Sequence, residues 1–330
     1  MAEARLVAPA ASPPRPGQLL ARFGTLLALL LLIAFNLAFT PHFATLETLN
    51  VNLTQVCTIV VVGVGMTLVI ATGGIDLSVG SLMAISGALA PLTFGGSLFP
   101  IPTPAIGTAL AFVFPVLVAG LLGLFNGWLI TRFRIQPIIG TLVLFIAGRG
   151  IAQVMTNGNL QTFTRPDFQF IGLGRIAGVP FQVILMAVMV AAAAWAVRKS
   201  VFGREILAVG GNENAARLAG IPVARVKRTA YAISGLCAGV AGLIVIARNS
   251  SSDANLVGLG MELDAIAAVA VGGTPLTGGQ ASILGTLIGA LIIQLVHYTL
   301  LANGVPDAAA LVVKAAIIVL AVWLQRTKRA

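Results

Sequence analysis

The sequence predicts an all-α polytopic membrane protein, and three observations support that fold class. Hydrophobic residues make up 58% of the 330 residues and charged residues only 9%, and the mean hydropathy is +1.01. Soluble domains are about a quarter charged, so this chain is too poor in charge to present a soluble surface. Its apolar residues fall into successive runs, and the length allows about ten helical crossings of roughly 20 residues each.

Ten runs bounded by proline, glycine or charge mark the predicted helical elements. In chain order they cover residues 19–39, 51–72, 77–95, 105–131, 135–156, 180–197, 229–247, 262–272, 281–302 and 308–325. The first run follows a long basic segment and precedes many further spans, so we interpret it as an uncleaved helix rather than a signal peptide. The eighth run is too short to cross a bilayer alone. Broken helices are therefore expected at two glycine-rich motifs, one after the second run and one after the eighth.

The basic residues predict which side each loop faces. With the amino terminus in the cytoplasm, most of the 20 Lys and Arg residues fall in predicted inner loops, as expected for membrane proteins. The tryptophans lie near predicted cytoplasmic helix ends, where interfacial rings are enriched: Trp128, Trp195 and Trp323. The enrichment of basic residues in cytoplasmic loops of membrane proteins thus explains the net charge of +10. The lipid bilayer is the expected partner of this charge, and no nucleic-acid partner is expected.

This topology predicts about ten transmembrane elements with both termini in the cytoplasm. Residues 1–18 form a cytoplasmic tail, and residues 19–325 form the transmembrane domain, with a cytoplasmic loop at 198–228. Residues 326–330 form a second cytoplasmic tail.

The two glycine-rich motifs resemble each other. Gly73–Gly80 reads GGIDLSVG and Gly272–Gly279 reads GGTPLTGG, which share the pattern G-G-x-x-L-[S/T]-x-G. Paired Gly and Pro interruptions in a membrane protein indicate a transport pathway, although a chain with 37 glycines can produce such a likeness by chance. In the predicted topology both motifs face the same side, which would make the repeat parallel. The motif residues we assign to a translocation path or gate are Gly73, Gly74, Asp76, Ser78, Gly272, Gly273 and Thr277.

Asp76 is the one charged residue of the first motif. Charged side chains within membrane domains face the bundle interior or a water-filled cavity. The carboxylate can cap the start of the third helix, since Asp is a favoured N-cap and helix starts attract negative charge. It can also combine capping with a gate, or contact the substrate directly, and the sequence leaves these three roles open.

Catalytic and metal-binding chemistry is not expected, and no cofactor is predicted. The stretch Gly273–Ser282 has the two glycines of a nucleotide-binding loop, but Gly279 stands where the phosphate-binding lysine should be, and no strand precedes it. The cysteines and histidines lie far apart in the sequence without neighbouring metal ligands: Cys57, Cys237, His42 and His297.

A short helix is predicted inside the basic loop Val201–Arg228. Asn212 or Asn214 can cap its start, Gly220 ends it, and Pro222 prevents continuation. The helix presents a small apolar face that can dock on a partner protein or lie on the membrane, and the residues do not separate these readings. The residues assigned to this helix and its two ends are Asn212, Glu213, Ala215, Ala216, Arg217, Gly220 and Pro222.

Three long motifs of this sequence resemble a known family. The stretch GREILAVGGNENAARLAGIPVARVK is similar to the cytoplasmic loop of permease subunits of bacterial ABC importers of the ribose/xylose/galactofuranose class. Gly65–Leu89 and Glu262–Ile293 resemble that family's two other signatures. Ile135–Gln153 looks closest to galactofuranose-type members. At Pro275 relatives usually carry a serine, so this chain departs from the family in its second motif. The resemblance also implies that the short helix near Asn212–Gly220 is the element that couples the permease to its ATP-binding subunit.

The resemblance implies a permease that translocates a monosaccharide, a pentose or hexose with galactofuranose among the candidates, across the bacterial cytoplasmic membrane. Its partners would be an ATP-binding cassette subunit, a periplasmic sugar-binding protein and a second permease chain, identical or not. ATP hydrolysis would belong to the separate subunit, so the chain would not be an enzyme. Because neutral sugars need hydrogen-bonding groups, Ser78, Asn126 and Gln55 are equal candidates for the wall of the path.

A self-contained secondary sugar transporter driven by an ion gradient is the alternative. Such a carrier does not need a basic loop with an embedded helix, and the few charges within the spans argue against a proton relay. A scaffolding membrane protein would not explain the paired glycine breaks.

Overall fold

The computed structural model describes residues 16–319, apart from residues 99, 102, 307, 314, 317 and 318. Most of the two predicted tails, Trp323 and the end of the tenth predicted run lie outside the described residues. The helices are α1 Pro16–Phe39, α2 Leu46–Ala71, α3 Val79–Phe94, α4 Pro104–Phe133, α5 Pro137–Met155, α6 Pro166–Leu173, α7 Phe181–Lys199, α8 Val201–Gly211, α9 Glu213–Leu218, α10 Val223–Asn249, α11 Met261–Val271 and α12 Ile283–Ala302. A further helical stretch covers residues 308–313.

Extended structure is confined, within the described part of the chain, to four two-residue strands. These are β1 Gln161–Thr162, β2 Arg175–Ile176, β3 Val179–Pro180 and β4 Ser251–Ser252. β1 pairs antiparallel with β4, and β2 pairs antiparallel with β3. The first pair ties the segment after α5 to the segment after α10, so these two helices end on the same side of the bundle.

Among the residues that the structure describes, six helices are long and apolar enough to cross a membrane: α2, α4, α5, α7, α10 and α12. Gly24–Phe39 within α1 and Val79–Phe94 are shorter apolar helices, and α11 has only 11 residues. The prediction of an all-α polytopic membrane protein is therefore confirmed, and the expected helix breaks lie at both glycine motifs.

α2 and α10 form the centre of the bundle. In their most apolar stretches, 83% and 72% of the residues are buried, against 33%, 28% and 22% in α4, α5 and α7. α10 packs against α2, α3, α4 and α6. α4, α5 and α7 turn many leucine, isoleucine and valine side chains outward, as expected of a perimeter that faces lipid.

The predicted cytoplasmic loop 198–228 is largely helical, which corrects the expectation of one short helix in a long loop. α8 buries Gly203, Ile206 and Val209 at a spacing of three residues, the periodicity of an amphipathic helix. α10 starts at Val223 rather than at residue 229. Val223 and Val226 of its first turns are buried, whereas Arg225, Lys227 and Arg228 made this segment read as part of a basic loop.

Close backbone contact holds α4 to α10. A Cβ at Gly123 would overlap the carbonyl oxygen of Tyr231, and a Cβ at Gly235 would overlap the carbonyl oxygen of Ala119. Small residues allow such approach between membrane helices, where van der Waals contact rather than water exclusion drives association. The position of α10 therefore depends on these glycines.

We expect Gly123→Ala to lower the free energy of unfolding by about 1–3 kcal/mol, because the added methyl group meets backbone that cannot rotate away. Gly150→Ala on α5 is the control, since nothing lies within 4 Å of a Cβ there. We expect this change to be neutral or stabilising by about 0.5–1 kcal/mol. Thermal unfolding of the purified variants in detergent measures both effects. Equal unfolding temperatures would contradict this account of the α4–α10 contact.

Candidate translocation and coupling sites

Both glycine motifs end a helix in the same way. Gly73, after α2, has a φ of +80°, and Gly273, after α11, has a φ of +88°. The next residues, Gly74 and Thr274, each donate their backbone N–H to the carbonyl five positions earlier, at 3.2 Å in both cases. This is the capping arrangement in which a left-handed glycine turns the chain out of a helix.

The structural match corrects the register of the sequence comparison. Gly73 corresponds to Gly273, a spacing of 200 residues, whereas the shared sequence pattern pairs Gly73 with Gly272. The segments that follow also differ in length, because α3 begins at Val79 and α12 only at Ile283. Over these eight positions the sequence pairing has four identities and the structural pairing only one, so sequence identity does not report where the two helices end.

The two breaks contact each other and helix α8. The backbone N–H of Gly279 donates to the carbonyl of Ala71 at 3.0 Å. A Cβ at Gly278 would lie 2.7 Å from the backbone nitrogen of Gly73, and a Cβ at Gly210 of α8 would overlap the carbonyl of Ala71. A cavity of about 310 Å³ opens here, lined by Gly210, Gly211, Thr277, Gly278, Gly279 and Gln280. We call this meeting point the glycine junction.

Asp76 lies in a buried polar cluster between α3, α4 and α10. Its Oδ1 accepts hydrogen bonds from the backbone N–H and the hydroxyl of Ser78, at 3.1 and 2.6 Å, and its Oδ2 accepts from the hydroxyl of Ser234 at 2.8 Å. Nδ2 of Asn126 donates to Oγ of Ser78 at 2.9 Å. All four side chains are fully buried. The bond to the Ser78 N–H closes a turn just before α3. Ser78 itself is the N-cap residue of α3, and no side chain caps that helix, so the expected capping by Asp76 is wrong, while the gate stays a prediction.

Gln55 lies away from this cluster. It is 16 residues before the end of α2, or about 24 Å at the helical rise of ~1.5 Å per residue. Its Oε1 accepts from Nε2 of Gln294 at 2.6 Å. Both line a cavity of about 200 Å³ together with Thr58, Arg248, Asp264 and His297, among others. The structure thus unites Asp76, Ser78 and Asn126, whereas it puts Gln55 in a separate site.

Ser234 and Gln294 are site residues that sequence reasoning missed. Ser234 bonds a residue 158 positions away and Gln294 one 239 positions away. The available signal was a polar residue within an apolar run, but many such residues bond only their own helix. The hydroxyl of Thr93, for example, donates to the carbonyl four residues earlier.

The predicted short helix is present as α9. The side chain of Asn212, one of the two candidate caps, accepts the N–H of Ala215 at 3.0 Å. Gly220 follows with a φ of +81°, and Pro222 precedes α10. The expected apolar face is divided: Ala216 is buried against the bundle, whereas the side chain of Leu218 is 91% exposed.

Glu213 ties α9 to α10. Its carboxylate pairs with Arg217 of the same helix at 2.9 Å and with Lys227 of α10 at 2.5 Å. The hydrogen bond from Lys227, supported by both positive charges, holds the pKa of Glu213 below its usual value of 4.5. A cavity of about 500 Å³ lies between α9 and the turn that joins α4 to α5, and its charged lining residues are Arg134, Glu213, Arg217 and Lys227.

Comparison with known proteins relates this architecture to transport systems. Residues 49–322 match the family described as branched-chain amino acid transport system / permease component. The galactofuranose transporter permease of Escherichia coli K12 is 40% identical over 319 residues, which covers 92% of this chain and 89% of that protein. The ribose import permease of the same organism is 41% identical over 309 residues, covering 92% and 94%. The L-arabinose ABC transporter permease of Azospirillum brasilense is 35% identical over 323 residues, covering 98% and 93%. No solved structure matches the chain.

We expect Asp76→Ala to lower the free energy of unfolding by about 1–3 kcal/mol, because the buried hydroxyls of Ser78 and Ser234 lose their acceptor. Asp76→Asn keeps an oxygen acceptor and should retain most of the stability. Thermal unfolding in detergent measures both. An alanine variant as stable as the parent would contradict the role of Asp76 as the acceptor that holds this cluster together. Transport then tests the gate separately, since wild-type uptake by the asparagine variant would contradict a need for the charge.

Acid should weaken the contact between α9 and α10. The pKa of Glu213 is lower in the folded protein, so the stabilisation is complete above the ordinary pKa of 4.5 and is lost as the pH falls through the lowered value. A nitroxide attached to Leu218→Cys should therefore become more mobile as the pH falls below about 4.5. With Glu213→Gln added, the label should already be mobile at neutral pH. A mobility independent of pH in the Glu213 protein would contradict this assignment.

Proposed function

This chain belongs to the family of transport-system permease components, and from that premise we propose how it moves its cargo. It is the multi-pass membrane component of an ABC importer for monosaccharides in the bacterial inner membrane, a transport subunit rather than an enzyme. Relatives named for galactofuranose, ribose and L-arabinose leave the individual sugar open among pentoses and hexoses. The family membership sets aside the self-contained, ion-coupled carrier.

We propose that the glycine junction, α8 and α9 face the cytoplasm and that both termini do so too. Basic residues concentrate at this end of the bundle, which supports the orientation because they favour the cytoplasmic side. The ones on or beside these helices are Arg198, Lys199, Arg204, Arg217, Arg225, Lys227 and Arg228. With α1 and the run at 308–325 included, the chain then has about ten membrane elements.

One observation carries the coupling proposal: α8 connects the exposed helix α9 to both helix breaks. Ser200 caps α8, with its Oγ accepting the N–H of Gly203 at 3.0 Å. The other end of α8 touches Ala71 and Gly279 backbone to backbone. Because α9 follows this end of α8 directly, a displacement of α9 would reach the end of α2 and the segment after α11 through the last residues of α8. We propose that an ATP-binding cassette subunit supplies this displacement by docking on α9.

Two further partners complete the proposed assembly. A periplasmic sugar-binding protein would dock on the opposite end, which α6 and the strands β1–β4 form. A second permease chain, identical or different, would pack beside this one to enclose the path. We propose that Gly73, Gly74, Gly273 and Thr277 shape the inner end of that path, since they lie at the glycine junction.

Replacing the most exposed residue of α9 should uncouple the ATP-binding subunit. We expect Leu218→Glu to reduce, at least tenfold, the amount of ATP-binding subunit that co-purifies with the tagged chain from native membranes, because a carboxylate replaces an apolar contact. Ala216→Glu is unsuitable, since Ala216 packs within this chain.

Leu160→Glu is the matched control, because Leu160 is 57% exposed on the proposed periplasmic side. It should leave co-purification unchanged. Normal co-purification with Leu218→Glu would show that the ATP-binding subunit does not dock on α9. The absence of any ATP-binding subunit from the parent preparation would overturn the proposed importer assembly.

A further inference from the structure

We infer that the cavity around Gln55 and Gln294 binds the sugar within the membrane domain, before the sugar reaches the glycine junction. This inference rests on the proposed function. We call this space the outer cavity. Its polar lining residues come from four helices, α2, α10, α11 and α12, and they are Gln55, Thr58, Arg248, Asp264, Gln294 and His297.

The depth of these residues indicates that they line a water-filled space. Gln55 is the tenth residue of α2 and Gln294 lies eight residues before the end of α12. At a rise of ~1.5 Å per residue both lie about 12–14 Å from the outer helix ends, which approaches the middle of a hydrocarbon core of about 30 Å. Gln55 is nevertheless exposed. Polar side chains at such depth face a cavity or a partner rather than lipid.

The chemistry of the lining suits a neutral polyol. Amide, hydroxyl, imidazole, carboxylate and guanidinium groups together supply both donors and acceptors, as a ring of sugar hydroxyls requires. Arg248 and Asp264 contribute one charge of each sign, so the cavity does not select for an ion. Ile59, Met261 and Ile293 add apolar surface against which the C–H faces of a sugar can pack.

Two hydrogen bonds hold the polar groups in place. Nε2 of Gln294 donates to Oε1 of Gln55 at 2.6 Å, which joins α12 to α2 across the cavity. Nη1 of Arg248 donates to the carbonyl of Thr54 at 3.2 Å, which joins α10 to the same part of α2. Preorganised side chains lose less conformational entropy when a ligand binds.

The volume indicates that this chain forms only part of the site. A cavity of about 200 Å³ lies below the roughly 300–1,000 Å³ usual for small-molecule pockets. We assign the missing wall to the second permease chain of the proposed assembly, which would enlarge the enclosed space.

Cysteine labelling tests the cavity without knowledge of the sugar. Cys57 and Cys237 are first replaced by alanine, since both are native thiols and both are buried. In spheroplasts we expect Gln55→Cys to react with a charged, membrane-impermeant methanethiosulfonate. Val188→Cys is the control, because Val188 is 59% exposed at a similar depth on α7, where it faces lipid. It should not react. Equal labelling of the two positions would overturn the inference.

Sugar uptake tests the role of the cavity. Cells are given radiolabelled ribose, L-arabinose or fructose, and the sugar that the parent transports is the probe. We expect Gln294→Leu to raise the concentration for half-maximal uptake at least tenfold, with the ATP-binding subunit still attached. Gln153→Leu is the control, because Gln153 bonds Asn255 away from the cavity. Parental uptake by Gln294→Leu would overturn the inference, whereas loss of the ATP-binding subunit from the parent would instead overturn the proposed function.

Discussion

The structure depends on satisfying backbone groups where its helices break, because much of the broken backbone is buried in the bundle, away from water. In the break between α2 and α3, Oγ1 of Thr141 on α5 accepts the N–H of Leu77 at 3.2 Å. The hydroxyl of Tyr231 on α10 donates to the carbonyl of Ile75 at 3.3 Å. Asp76 supplies a further acceptor from within the break. Side chains of two neighbouring helices and of the break itself thus satisfy irregular backbone groups.

The same constraint explains the arginine within α5. Nη1 of Arg149 donates to the carbonyls of Ala254 and Val257, at 2.9 and 2.6 Å. These carbonyls belong to the irregular segment between α10 and α11. A guanidinium in a spanning helix is costly unless it is paired, and here backbone acceptors pair it. Both irregular segments are therefore fixed by side chains from α5, which makes this peripheral helix a support for the breaks.

Local patterns in the sequence predicted the parts of this structure that depend on local physics. Hydropathy located the apolar runs, and the Asn212 cap and the Gly220 stop located α9, because caps and left-handed turns involve neighbouring residues. α6 and α8 were missed because short helices give a weak signal between long apolar runs. The partners of Asp76 and Gln55 could not be predicted, since their contacts join residues that only the tertiary fold brings together. The pairing of Gly73 with Gly272 differs from the structural match by one residue, because sequence identity does not report where α2 and α11 end.

The hydrogen bond from Ser234 to Asp76 also bears on how the protein is made. The two residues are 158 positions apart, and at a synthesis rate of roughly 5–20 residues per second the hydroxyl emerges about 8–30 s after the carboxylate. During that interval α2, the break and α3 have left the ribosome without the α10 side chains that satisfy them. The hydrogen-bonding cluster around Asp76 is therefore completed only after α10 has been synthesised, late in the production of this permease.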